Sequence, residues 1–411
     1  MLSTALSSGG RLAGLAKSRR FPYIVRMPGT ANTERANRRL RRLDALIGVP
    51  LVNALSLMRK PPAASAASAL PAPRNIAVLC FGAIGDTLLA TTLLRALAAM
   101  YPNAEIRVLA SDANAQALPL LGPRFKAAAF PIRSVWAMAR HLRVLRPDLL
   151  IDTTQWARVG ALVTLLSGVR HTIGFDTPGQ RRGAAYAFPV RHRSDCHETE
   201  NFLALARAVN PAVTASPELF LPDDPPPGLD LGGLPPLDKI VYLHAFASGV
   251  ASALKTWADE RWRDVALACL AAGYAVCFTG GPADAGAADI FLRRHIPADI
   301  LLNGMARSLA GTLDLRGLAW LLRRGAGAVS VNTGFVHLAA LCGIPVVDLH
   351  GPTNPLRWGA VGPKVVSLLA PGGDTACLNL GFEIPAGAVP TLHRLGAEDA
   401  LGALRRLGLA V

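Results

Sequence analysis

The 411-residue chain is 51% hydrophobic and 17% charged, a balance that excludes general disorder and suits two packed domains with an appendage. Its formal charge of +15 is unevenly placed: residues 1–70 hold 12 Lys and Arg against Glu34 and Asp44, net +10, which leaves +5 for the remainder. No nucleic-acid partner is expected of so weakly charged a globular part, whereas residues 1–70 suit an anionic membrane surface.

Residues 1–33 lack acidic groups and are rich in Arg and Ser, which resembles an organelle transit peptide, with a disordered N-terminus as the alternative reading. Residues 33–46 set Arg35, Arg38, Arg39, Arg41 and Arg42 beside Leu40, Leu43 and Leu46, the pattern of a basic amphipathic helix. The most apolar stretch, 45–58, contains Pro50 and Asn53 and falls short of the roughly 18 apolar residues that cross a membrane, so it is expected to lie on one. A Pro-Ala-Ser run over 61–73 reads as a linker. Six cysteines, at 80, 196, 269, 277, 342 and 377, form no C-x-x-C pair, as suits a reducing cytoplasm.

The continuous apolar run 75–81 predicts a buried strand, 87–100 a helix, 105–110 a second strand and 149–151 the middle of another. Strand and helix alternating in this way define a doubly wound parallel sheet. Eight prolines between 211 and 236 mark an interdomain linker. A second series follows, with strands 239–245, 274–279, 328–331 and 345–349 and helices 258–272, 313–324 and 335–341. A last helix over 397–407 is expected to cross back onto the first domain. The predicted divisions are 1–72 for the basic extension and linker, 73–225 and 238–390 for two Rossmann-like halves, and 391–411 for the C-terminal helix.

The chemistry gathers where strands end in glycine turns. Strand 328–331 ends at Asn332-Thr333-Gly334, and the first N–H groups of the following helix have no intrahelical partners, which suits a phosphate. Strand 345–349 ends in His350-Gly351-Pro352-Thr353-Asn354-Pro355, so the two loops should lie side by side at the carboxyl edge of the sheet, where ligands of such sheets bind. The first strand leads into Gly82-Ala83-Ile84-Gly85-Asp86. Asp86 is read either as a helix N-cap or as a general base at the mouth of a cleft. Lys255 is either a solvated lysine or the partner of a diphosphate, and His337 either a core histidine or a neighbour of the phosphate turn. Asp112 sits where a dehydrogenase would hold ribose, but Gly82 and Gly85 lack the third glycine of the dinucleotide fingerprint. No residue cluster has metal-ligand spacing, and neither a metal nor a cofactor is expected.

Together, Gly82-Ala83-Ile84-Gly85-Asp86, Asp148-Leu149-Leu150-Ile151-Asp152, Ile173-Gly174-Phe175-Asp176, Lys255-Thr256-Trp257, Gly280-Gly281-Pro282, Asn332-Thr333-Gly334 with His337, and Gly351-Pro352-Thr353-Asn354-Pro355 resemble glycosyltransferase family 9, the ADP-heptose:lipopolysaccharide heptosyltransferases and their relatives, in order over residues 74–370. The resemblance implies a GT-B type α/β fold, two Rossmann-like domains facing a central cleft, with the acceptor in the N-terminal half and the donor in the C-terminal half. It implies transfer of heptose or a related sugar, with inversion, from a nucleotide-diphosphate donor to a lipid-linked glycan acceptor at the inner face of a bacterial inner membrane. Asp86 would be the base, with Gly82 and Gly85 its turn near the acceptor. Lys255, Asn332, Thr333, Gly334, His337, Gly351 and Thr353 would hold the donor and its phosphates. The chain departs from the family pattern at Asn332 and Asn354, where aspartates are common, and in the length of the loop between His244 and Lys255, where Ser248 and Ser252 have no assigned role. Loss of transfer, leaving a nucleotide-sugar-binding adaptor, is the alternative reading.

Overall fold

A computed structural model describes residues 44–59, 61–221, 223–230, 232–247, 252–381 and 383–411. The basic segment 1–43 and Ser248 lie outside the described residues. Six parallel strands form a first sheet: β1 Asn75–Cys80, β2 Glu105–Ser111, β3 Phe125–Phe130, β4 Leu149–Asp152, β5 Thr172–Asp176 and β6 Phe188–Arg191. Six more form a second: β7 Ile240–His244, β8 Ala275–Phe278, β9 Ala306–Ser308, β10 Gly327–Val331, β11 Val346–His350 and β12 Val365–Leu369. Their spatial orders are β3-β2-β1-β4-β5-β6 and β12-β11-β10-β7-β8-β9, so both halves are wound in the same doubly wound order. In each, winding reverses between the first and fourth strands, β1 beside β4 and β7 beside β10. Ligands of open α/β sheets bind outside the carboxyl ends of such a pair.

The central strands are apolar because helices cover both faces: Ile76, Ala77, Val78 and Leu79 of β1 are buried, as are all five residues of β10. Edge strand β3 is mostly exposed and carries Lys126, paired with Glu105 at 2.6 Å, a charged side chain that discourages further strand pairing. The helix predicted over 87–100 is two, Ile84–Leu89 and Thr91–Met100, which meet at Ala90. The helix Ala397–Arg406 does not cross back. It packs on the helix Asp259–Ala271 of the second half, with Ala400, Leu401 and Leu404 in the same core as Trp262 and Val265, because its apolar face matches the groove nearest its own sheet. Trp257 is also core: it meets Trp262 edge-on at 5.0 Å and donates its indole N–H to the Leu395 carbonyl at 3.0 Å.

The stretch predicted to lie on a membrane is partly docked on the first half. The turn Asp44–Gly48 and helix Val49–Ser56 bury Val52 against Ala161, Ala185 and Tyr186. The Asp44 carboxylate accepts from the backbone N–H of Arg158 at 3.0 Å and pairs with its guanidinium. Leu46, Ile47, Leu51, Leu57 and Met58 stay exposed. Among the described residues no helix is long and apolar enough to cross a membrane.

The halves share packing as well as a linker. Leu88, Ala117 and Leu120 of the first lie in one apolar cluster with Tyr242, Phe335 and Leu338 of the second. All six cysteines are free; Cys80, Cys269, Cys277 and Cys342 are buried, whereas Cys196 and Cys377 are partly exposed.

Candidate active site

At the first switch point the loop after β1 enters the helix Ile84–Leu89. Asp86 is the third residue of that helix and not its N-cap. The helix starts a turn earlier than its apolar pattern suggests because the Asp86 Oδ2 accepts from the Ala83 backbone N–H at 2.8 Å, satisfying one of the donors that a helix start leaves open. Its Oδ1 accepts from the Gln155 side-chain amide at 3.2 Å. Gln155 stands on the loop after β4, the other strand of the switch point, and both side chains are buried. Gly82 is required for space: a Cβ there would sit 2.7 Å from the Asp86 Cβ and 2.9 Å from its Oδ2.

The second switch point faces the first. Thr333 caps the helix Gly334–Leu341, its hydroxyl accepting from the Phe335 N–H at 3.3 Å. This helix and Ile84–Leu89 meet end to end: a Cβ on Gly334 would lie 3.2 Å from the Gly85 backbone nitrogen, and one on Gly85 would lie 3.0 Å from the His337 ring. Two glycines from the two halves thus let the backbones touch one residue away from Asp86. His337 is buried, and its Nδ1 has no hydrogen-bond partner among the described residues. Burial lowers its pKa to about 4 against the opposing pull of Asp348 and Asp86, so the ring is neutral near pH 7. A neutral imidazole here adds no charge beside the Thr333-Gly334 turn.

Asn332 points away from the turn. Its amide donates to both Asp348 oxygens, at 3.2 and 3.3 Å, and to the Trp358 carbonyl at 2.9 Å. Asp348 also bonds His350 at 2.8 Å and accepts from the Ala360 N–H at 3.1 Å. An aspartate at 332 would set a second carboxylate against the first, so asparagine is the residue that this buried Asp348 accommodates. Thr353 is likewise engaged, its hydroxyl 3.0 Å from the His350 Nδ1, and Gly351 leaves room for Thr391, whose Oγ1 would be 2.9 Å from an added Cβ. Asn354 caps the short helix Pro355–Trp358 and donates to Asn379 at 2.7 Å. Lys255 ends the turn Ser252–Lys255, half-buried, on the loop after β7.

The structure therefore gathers Asp86, Gly82, Gly85, Gly334 and His337, with Thr333 beside them. It sets Asn332, Gly351 and Thr353 in the framework behind. Sequence reasoning missed Gln155, as well as Asp348 and His350, although two polar residues at period-two spacing on a buried strand were a usable signal. His244, ending β7, stacks on Phe335 at 4.6 Å, and burial lowers its pKa to about 4. Among the described residues no group of three or more His, Cys, Asp or Glu is placed to hold a metal ion.

Twin doubly wound parallel sheets, each with a glycine turn where the halves meet, are the GT-B architecture. The model of glycosyltransferase family 9 (heptosyltransferase) matches residues 135–381, and the chain belongs to that family. It is 31% identical over 151 residues to lipopolysaccharide heptosyltransferase 1 of Pseudomonas aeruginosa, covering 36% of this chain and 39% of that protein. To lipopolysaccharide heptosyltransferase 1 of Escherichia coli O18:K1:H7 it is 25% identical over 278 residues, 64% of this chain and 76% of the relative. Among solved structures, the ADP-heptose lps heptosyltransferase II of E. coli superposes with a TM-score of 0.66 at 21% identity, covering 81% of this chain and 98% of that one.

Proposed function

We propose that this protein transfers heptose from ADP-heptose to a lipopolysaccharide-type acceptor in a single, inverting, metal-independent displacement. The observation that carries the mechanism is the Asp86 carboxylate, held by the Ala83 N–H at one switch point and one residue away from Gly85, whose backbone meets Gly334 at the other. Asp86 removes the proton from the acceptor hydroxyl as that oxygen attacks the anomeric carbon. The bond to the diphosphate breaks on the opposite face, and the developing negative charge is met by the Thr333-Gly334 turn and the Lys255 ammonium. Neutral His337, buried in the first turn of the helix Gly334–Leu341, adds no charge beside the phosphate turn. Apposition of the halves excludes water, so that the sugar reaches the acceptor and not the solvent. The name of the E. coli structural relative, an ADP-heptose enzyme, supports the donor, and the names of the curated relatives support the acceptor. No observation favours an inactive adaptor.

Residues 73–225 act as the acceptor half and 238–390 as the donor half. The exposed Leu46, Ile47, Leu51, Leu57 and Met58, next to the arginines of 35–42, seat the protein on the inner face of the bacterial inner membrane as a peripheral protein. Thermal melts against ADP-, GDP-, UDP- and CDP-linked sugars test the donor, since a ligand of the folded state raises the melting temperature. A selective shift with ADP-heptose, lost in Lys255→Ala, is expected, together with loss of transfer but retained donor binding in Asp86→Ala. Full transfer by Asp86→Ala would remove the base.

A further inference from the structure

Four buried residues link Gln155 to the contact between the halves. The Gln155 backbone carbonyl accepts from the Thr177 hydroxyl, which lies 3.3 Å from the His192 Nδ1. The His192 Nε2 is 3.1 Å from Glu198 Oε1, and Glu198 Oε2 is 2.5 Å from the Arg357 Nη2. Arg357 belongs to the second half and the rest to the first. The Glu198 and Arg357 side chains are wholly buried. Burial alone would raise the Glu198 carboxyl, but His192 and Arg357 hold it down at about 2. Arg357 also donates to the Cys196 carbonyl of the first half and, at 2.8 Å, to the Asn379 carbonyl of its own. Its neighbour Trp358 accepts from Asn332, just before the Thr333-Gly334 turn. Glu198 and Arg357 stand on different halves, so this pair exists only while the halves are apposed.

We propose that Gln155 is a positioning residue for Asp86, and that the Arg357–Glu198 pair sets it through His192 and Thr177, so that the base is aligned when the halves close. This rests on the reading of Asp86 as the base. The Gln155 amide donates to one carboxylate oxygen at 3.2 Å and the Ala83 N–H to the other at 2.8 Å, and both bonds hold the rotamer of this short side chain. When the halves part, Glu198 loses its cation, the His192 ring and the Thr177 hydroxyl lose their fixed partner, and the loop that carries Gln155 is released.

The test uses the full chain with ADP-heptose as donor and heptose-deficient lipopolysaccharide as acceptor. In Gln155→Leu, kcat is expected to fall roughly tenfold from misalignment, while donor KM and calorimetric ADP-heptose affinity stay unchanged. Gln155→His, which returns an N–H donor, recovers part of the loss. Because removing one member of a buried pair can unfold the protein, the pair is replaced by Glu198→Gln with Arg357→Met, neutral groups of similar volume. That variant, melting cooperatively, is expected to lose kcat, and adding Gln155→Leu to it should cost no more than Gln155→Leu alone. Wild-type kcat in Gln155→Leu, a loss confined to donor affinity, or losses that multiply in the combined variant would each overturn the proposal. Asp86→Asn separates the readings: an inactive Asp86→Asn beside a fully active Gln155→Leu sinks only the positioning role, whereas full transfer by Asp86→Asn sinks the base and the positioning with it.

Discussion

Asn332→Asp is expected to destabilise this protein. The amide now donates to both oxygens of the buried Asp348 and to the Trp358 carbonyl. The substitution removes those donors and sets carboxylate against carboxylate. Lost hydrogen bonds to a charged group and a new like-charge contact together cost on the order of 3 kcal/mol. For a half of this size that is a fall in melting temperature of roughly 6–12 °C. Differential scanning calorimetry at pH 7.5 reads it directly. The compensating Asp348→Asn, made in the same chain, removes the second charge and returns an amide, so the double variant should recover at least half of the loss. An Asn332→Asp protein that melts with the wild type, or a double variant that melts no higher than the single, would refute the account of why asparagine stands here.

Three further outcomes follow from the geometry. Burial holds His244 and His337 at about 4, below the ~6.5 of an unfolded histidine. The unfolded chain therefore takes up these protons first: the folded state keeps its full stability above pH 6.5 and loses it as pH falls towards 4, by at most about 3 kcal/mol per histidine. A melting temperature that is level from pH 7.5 to 4.5 would contradict this. Gly82→Ala places a methyl group 2.7 Å from the Asp86 Cβ and should lower kcat by up to about a hundredfold through displacement of the carboxylate, with ADP-heptose affinity by calorimetry unchanged; an active variant would mean that Asp86 can move without consequence. Val52→Asp puts a charge in the pocket formed by Ala161, Ala185 and Tyr186, forfeiting about 2 kcal/mol of apolar burial. Limited proteolysis should then cut within 44–59 while the body of the protein melts as before, and unchanged protease resistance would show that the docking does not depend on Val52.

The strands at the middle of each sheet were legible because burial on both faces demands an unbroken apolar run: 239–245 against Ile240–His244 and 328–331 against Gly327–Val331. The edge strand Ala306–Ser308 carries no such run, and hydrogen bonds to its neighbour hold it where its side chains do not. The glycine turns announced the two loops of the site. Asp86 was found by residue type, but its place inside the helix depends on a bond from its own side chain to the Ala83 N–H, which apolar periodicity does not register. Asn332 was assigned to the donor from its position, yet its direction is decided by Asp348, 16 residues on. Gln155 and Glu198 act through partners 69 and 159 residues away, and only the folded chain brings such pairs together.

The cysteines turn this architecture into its own measuring device. Burial pushes the thiols of Cys80 up to about 11 and of Cys269, Cys277 and Cys342 to about 12, so at neutral pH these four resist alkylation. Cys196 and Cys377, partly exposed, react first, and they fall on opposite halves, Cys196 supplying a carbonyl to Arg357 itself. A maleimide dye pair added to the natural sequence, with no thiol engineered in or out, would therefore read the separation of the two halves as energy transfer while sugar nucleotide is titrated.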